Sequence, residues 1–139
     1  MSKKTIFVNG CFDIIHIGHI ELLKYAKSLG DILIVGIDSD ERVKKHKGLE
    51  RPINNSDIRK QILLSLKYVD DVYIFDSDEK LIEIIKHVKP DTIVVGSDWK
   101  NKNVIGSKYA KYVKFFERIS EYSTTKTIES IVTRGNLQR

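Results

Sequence analysis

Val8-Asn9-Gly10-Cys11-Phe12-Asp13-Ile14-Ile15-His16-Ile17-Gly18-His19 joins a short apolar run at residues 5–8 to a helix-like segment at residues 20–28. A strand that becomes a helix through a glycine-bearing loop is where an open α/β sheet gathers its ligand. The first N–H groups of a helix have no intrahelical partner and the dipole is positive there, so the exit of this loop suits an anion. Two imidazoles three residues apart at such a helix mouth can both face one phosphate. Gly10 and Gly18 allow a ligand close to the backbone.

Outward from this stretch, apolar runs and helical segments alternate. Residues 32–37 form a continuous β-branched run, the mark of a strand buried on both faces. Further strands are expected at 72–75, 92–95 and 113–116. Helices are expected at 18–29, from Asn55 or Ser56 to about 67, from Ser77 or Asp78 to 87, and at 123–132. In the second of these, Ile58, Ile62, Leu63 and Leu66 share one face. Residues 38–50 read as a polar, basic loop with at most one helical turn, and residues 108–112 as a short helix. The pattern predicts one α/β domain over residues 1–133: a Rossmann-like, doubly wound, parallel five-stranded sheet with helices on both faces. Residues 134–139 read as a frayed tail.

The composition sets limits on function. The chain has 139 residues, 31% of them charged, with a net charge of +5. That size supports one real core. No apolar run is long enough to span a bilayer, and Met1-Ser2-Lys3-Lys4 leads straight into a strand. With a single cysteine, Cys11, no internal disulfide is possible, so a cytoplasmic setting is expected. The positive charge fits an anionic ligand and equally a solvated lysine-rich surface. Nucleic acid is disfavoured, because basic and aromatic residues are not interleaved.

Five groups could carry chemistry, four of them where strand ends should converge and one, Arg59, on a helix. The first is His16 with His19. A lone histidine is usually a packing residue, but two around a glycine in a strand-to-helix turn favour phosphate. Zinc is a rival use, disfavoured because no second Cys/His cluster exists. The second is Lys44-Lys45-His46-Lys47-Gly48 with Arg51, ordinarily a solvated loop. The third is Arg59, ordinarily a surface arginine. The fourth is Gly96-Ser97-Asp98-Trp99, where the single tryptophan is either a core anchor or a stacking surface. The fifth is Arg118 with Ser123-Thr124-Thr125, whose hydroxyls cap a helix and leave its N–H groups for a phosphate.

Gly10-Cys11-Phe12-Asp13-Ile14-Ile15-His16-Ile17-Gly18-His19 resembles the Gly-x-Phe-Asp-x-x-His-x-Gly-His signature of the cytidylyltransferase-like nucleotidyltransferases. His16-Ile17-Gly18-His19 also spells the HIGH signature of class I aminoacyl-tRNA synthetases of the same superfamily, for which 139 residues are too few. The resemblance runs from about Ile6 to Ile131. It implies nucleotidyl transfer from an NTP to a phosphorylated polyol or sugar, with release of pyrophosphate. It makes His16, His19 and Lys47 catalytic, with Lys44 the second choice for the loop lysine. It lines the nucleotide site with Gly10, Cys11, Phe12, Asp13 and Gly18. It aims Arg59 at the phosphates.

Two branches compete for the substrates. Arg118, in register with Ser123-Thr124-Thr125, and Gly96, Asp98 and Trp99 resemble the glycerol-3-phosphate cytidylyltransferases. They favour CTP and a polyol phosphate such as glycerol 3-phosphate. Lys47-Gly48 and Gly106-Ser107-Lys108 resemble the heptose 1-phosphate adenylyltransferases and offer ATP as the alternative. A non-catalytic nucleotide-binding module is a third reading. Mg²⁺ is expected on the phosphates with no carboxylate cage in the sequence, so no metal ligand is assigned and Asp13 is the nearest neighbour. The resemblance also implies a homodimer.

Overall fold

The computed structural model describes residues 2–117 and 123–137; Arg118 falls outside them. Five strands form one sheet: β1 (Thr5–Gly10), β2 (Ile32–Asp38), β3 (Asp71–Phe75), β4 (Thr92–Gly96) and β5 (Tyr112–Phe116). All pairings are parallel and the order is β3-β2-β1-β4-β5. The chain winds from β1 to one edge and then crosses back over it to the other. The winding direction therefore reverses between β1 and β4, and their C-terminal ends flank the crevice where such sheets bind ligands.

Burial on both faces explains the apolar strand sequences. Ile6 and Val8 of β1, Leu33, Val35 and Ile37 of β2 and Val94 of β4 pack on one face, with Leu23 and Ala26 of α1 (Ile17–Ser28) and Leu63 of α3 (Ser56–Leu64). Phe7, Ile34, Ile93 and Val95 point the other way, against Leu81, Ile84 and Ile85 of α4 (Asp78–Val88). At the N-terminal end of the sheet, carboxylates pin the strand starts. Asp91 accepts the Thr5 N–H at 2.9 Å, and Asp70 accepts the Leu33 N–H at 2.8 Å and the Lys27 ammonium at 2.6 Å. Desolvation alone would raise the Asp70 carboxyl, but these two donors outweigh it and hold it below its ordinary value.

The sequence reading differs from the structure in four places. Residues 38–50 are not a loop: α2 (Asp40–Lys47) fills most of them. The Ser39 hydroxyl caps it at the Arg42 N–H, acids occupy its first turn and bases its last, and Gly48 stops it at φ 108°. α3 is turned away from the expected face: Ile58 and Ile62 are exposed, whereas Arg59 and Leu63 are buried. α5 (Thr124–Leu137) continues beyond residue 132, into the stretch read as a tail. Residues 107–109 make only a 3-10 turn, and another spans Ser97–Trp99. No helix among the described residues is long and apolar enough to cross a membrane.

Candidate active site

The loop between β1 and α1 is held in a conformation its sequence does not prefer. Phe12 and Ile14 sit at φ 54° and 50°, a region costly for side chains with a Cβ. Three sets of contacts hold it there. The Phe12 ring lies over Gly10, where an added Cβ would come within 3.0 Å of Cε2. Asp13 is 1% exposed, and its carboxylate accepts the N–H groups of Ile53 at 2.6 Å and Asn54 at 2.9 Å. The Thr124 hydroxyl, from the start of α5, donates to the Asp13 carbonyl at 2.5 Å.

This loop delivers the two histidines to the start of α1. His16 is the N-cap: its Nδ1 accepts the Gly18 N–H at 3.0 Å, and His19 Nδ1 accepts the His16 N–H at 3.1 Å. Each Nδ1 is thus committed as an acceptor, so each neutral ring carries its proton on Nε2. The ring centroids are 3.9 Å apart, and Phe12 lies 5.3 Å from His19. The first turn of α1 contains no acidic residue to offset its positive end.

Two adjoining cavities open at the C-terminal ends of the strands. The larger, about 610 Å³, is lined by His16, Gly18, His19, Phe12, Asp13, Asp98 and Phe116, and by Ser123, Thr124 and Thr125. The smaller, about 320 Å³, has Asp38, Arg42 and His46 on its polar side and Leu81, Val104 and Ile105 on its apolar side. Asn9, Gly10, Cys11, Lys47, Gly96 and Trp99 line both. The shared wall is therefore built mainly from the ends of β1 and β4, at the reversal of winding.

Charge in the smaller cavity is organised by Arg42. Its Nε donates to Asp38 at 2.8 Å and its Nη2 to Asp78 at 2.7 Å, with the guanidinium 5.2 Å from the Phe75 ring. Desolvation would lower its pKa, but the hydrogen bonds to Asp78 and Asp38 raise it above the ordinary value. Burial pushes the Cys11 thiol up, against the opposing influence of Lys47 and Arg59, so it stays protonated near neutrality and is no activated nucleophile.

Most of the expected residues meet here, with several changes of role. Lys47 lines both cavities, whereas Lys44 lines neither. Arg59, expected at the phosphates, is 0% exposed and lines neither. It donates to the carbonyls of Cys11 and Asn54, each at 2.9 Å, and to Asp40 at 2.8 Å. Asp13, expected as the nearest neighbour of Mg²⁺, accepts a backbone N–H on each oxygen, with Arg51 Nε 3.7 Å away. No group of three metal-ligating side chains occurs among the described residues.

The three hydroxyls opening α5 are likewise engaged. Ser123 caps Lys126, Thr124 holds Asp13, and Thr125 accepts from Arg51. Arg118 lies outside the described residues. Reading the sequence missed Asp38, Arg42, Val104 and Ile105. The four-residue spacing of Asp38 and Arg42 at the end of a strand was the available signal.

A parallel sheet with a strained, glycine-bearing loop and paired histidines at a helix mouth is the arrangement that the Gly10–His19 signature predicts. The chain belongs to the Cytidylyltransferase-like family, whose signature it matches over residues 7–130. It is 47% identical over 136 residues to the bifunctional protein HldE of Sulfurimonas denitrificans, covering 98% of this chain and 28% of that one. It is 50% identical over 130 residues to the bifunctional protein HldE of Helicobacter hepaticus, covering 94% of this chain. The chain thus spans little more than a quarter of these relatives, 27% in the Helicobacter case. Among solved structures, it resembles the lipopolysaccharide core biosynthesis protein of Thermoplasma volcanium (TM-score 0.67, 29% identity, 88% of this chain and 100% of that one). The pantoate-β-alanine ligase of Francisella tularensis shares the fold at a TM-score of 0.58 and 19% identity, covering 83% of this chain and 59% of that one.

Proposed function

We propose that this chain transfers an adenylyl group from ATP to a sugar phosphate of the heptose 1-phosphate class, releasing pyrophosphate. The carrying observation is the pair of cavities that meet at Gly10, Cys11, Lys47 and Gly96, with both histidines in the larger. Two cavities on one wall suit two substrates that must meet in line. Similarity to HldE, a heptose 7-phosphate kinase/heptose 1-phosphate adenylyltransferase, supports ATP over the CTP expected from Arg118 and Trp99. Lys47-Gly48 and Gly106-Ser107-Lys108 support the same branch.

In this reading ATP occupies the larger cavity and the acceptor the smaller. An acceptor phosphate oxygen attacks the α-phosphorus. The bond from that phosphorus to the bridging oxygen of the β-phosphate breaks, and pyrophosphate leaves. The attacking oxygen is already anionic, so the protein supplies position and charge rather than a nucleophile or strong base. His16 and His19, with their protons on Nε2, donate to the phosphate oxygens as charge builds. Lys47, on the shared wall, neutralises charge on both substrates. Trp99, 43% exposed, offers a face to base or sugar. Mg²⁺ enters with the triphosphate, as substrate.

A pyrophosphate-release screen tests this. Four NTPs are paired with heptose 1-phosphate, glycerol 3-phosphate and ribitol phosphate. ATP with heptose 1-phosphate is expected to react best. Preference for CTP with a polyol phosphate would overturn the substrate assignment, and ATP binding without pyrophosphate from any pair would favour a non-catalytic module. The reading also includes a homodimer, checked by sedimentation.

A further inference from the structure

Among the described residues, Arg51 has the buried polar atoms that the fold leaves unsatisfied. Its Nε and Nη2 are inaccessible and without a hydrogen-bond partner, and its side chain is 11% exposed. Arg51 itself lines neither cavity, but the two side chains it meets among the described residues, Thr125 and Asp13, both line the larger one and belong to different elements. Nη1 donates to Thr125 Oγ1, at the start of α5, over a long 3.4 Å. Nε lies 3.7 Å from Asp13 Oδ2, in the loop that carries His16, close enough for charge attraction but too far for a hydrogen bond. A guanidinium has five donors in a rigid fork, and here one is used, weakly. A residue needed only to neutralise Asp13 would be expected to close on it.

We propose that Arg51 is a positioning residue for the nucleotide phosphates, a role that rests on the ATP reading above. It sets the start of α5 against the β1–α1 loop. A polyphosphate held between the starts of α1 and α5 draws the guanidinium and Thr125 together. The anion thereby completes the geometry that the fold leaves slack, and Arg51 acts on it through Thr125 and Asp13.

The test uses the full chain with Arg51→Gln, Arg51→Lys, Thr125→Val and the Gln/Val double variant. ATP and inorganic pyrophosphate binding are measured by calorimetry, and KM for each substrate by turnover. Arg51→Gln is expected to weaken both anions at least about tenfold, the cost of a lost charge-assisted hydrogen bond, with acceptor KM held within about twofold. Thr125→Val should reproduce part of that loss, and the double variant should be no worse than Arg51→Gln, because the two act as one unit. Arg51→Lys should recover part of the binding, since it keeps the charge and loses the fork. Unchanged binding in a folded Arg51→Gln protein, or losses that multiply in the double variant, would overturn the assignment. If Arg51→Gln does not fold, Thr125→Val and Arg51→Lys carry the test, and wild-type affinity in both overturns it. Failure of the wild-type chain to bind ATP or pyrophosphate would remove the functional reading as well.

Discussion

Arg59 separates a buried clamp from a phosphate ligand, and the two roles predict opposite results. Arg59→Met keeps the length and apolar stem but removes three donated hydrogen bonds, to the Cys11 carbonyl, the Asn54 carbonyl and Asp40. Breaking a fully buried ion pair costs about 3–5 kcal/mol. The Asp40 side chain is 33% exposed and rehydrates when its partner goes, which places the loss near the lower end, about 3 kcal/mol. For a domain of this size that lowers Tm by about 10 °C. Urea unfolding gives the free energy, and ATP calorimetry on the folded fraction gives the affinity. A Met variant within about 1 kcal/mol of wild type that has lost ATP affinity about tenfold would refute the clamp and restore the phosphate role. Arg59→Lys should fall between, because one ammonium cannot span three acceptors set by separate segments.

Two other outcomes follow from the structure. His16→Ala and His19→Ala should each lower turnover at least about a hundredfold; His16→Ala should also cost about 1 kcal/mol of stability through the lost N-cap, and near-normal rates in both variants would end the catalytic assignment. The Asp70 carboxyl is lowered in the native state, so its contribution is complete above the ordinary value of 3.8 and is lost as pH falls through the native one. The stability gap between wild type and Asp70→Asn should therefore be full at about pH 7 and shrink below about pH 4; an equal gap at both, measured by urea unfolding, would contradict it.

The sheet was legible because its inner strands are buried on both faces and so write continuous apolar runs, as residues 32–37 do. The β1–α1 loop was legible because glycines and paired histidines are rare together. α2 was not, since Val43 is its one buried residue and no apolar period announces it; its cap, its charge gradient and Gly48 were the signals that remained. Arg59 could not be placed from local pattern at all. Two of its partners, Cys11 and Asp40, are brought to it only by tertiary structure, while Asn54 lies five residues upstream, and with Arg59 turned inward Ile58 and Ile62 face outward. The substrates remained open in the sequence because its motifs pointed to both branches.

The backbone bonds that hold the His16 and His19 rings have a thermodynamic consequence. A free imidazole at a helix mouth samples several rotamers, and freezing two of them on binding would subtract from substrate affinity. Here the backbone of α1 holds both rings by Nδ1. Their rotational entropy is surrendered when the chain folds. In the proposed reaction the rings are therefore already oriented when substrate arrives, and less of their interaction energy is lost to ordering them.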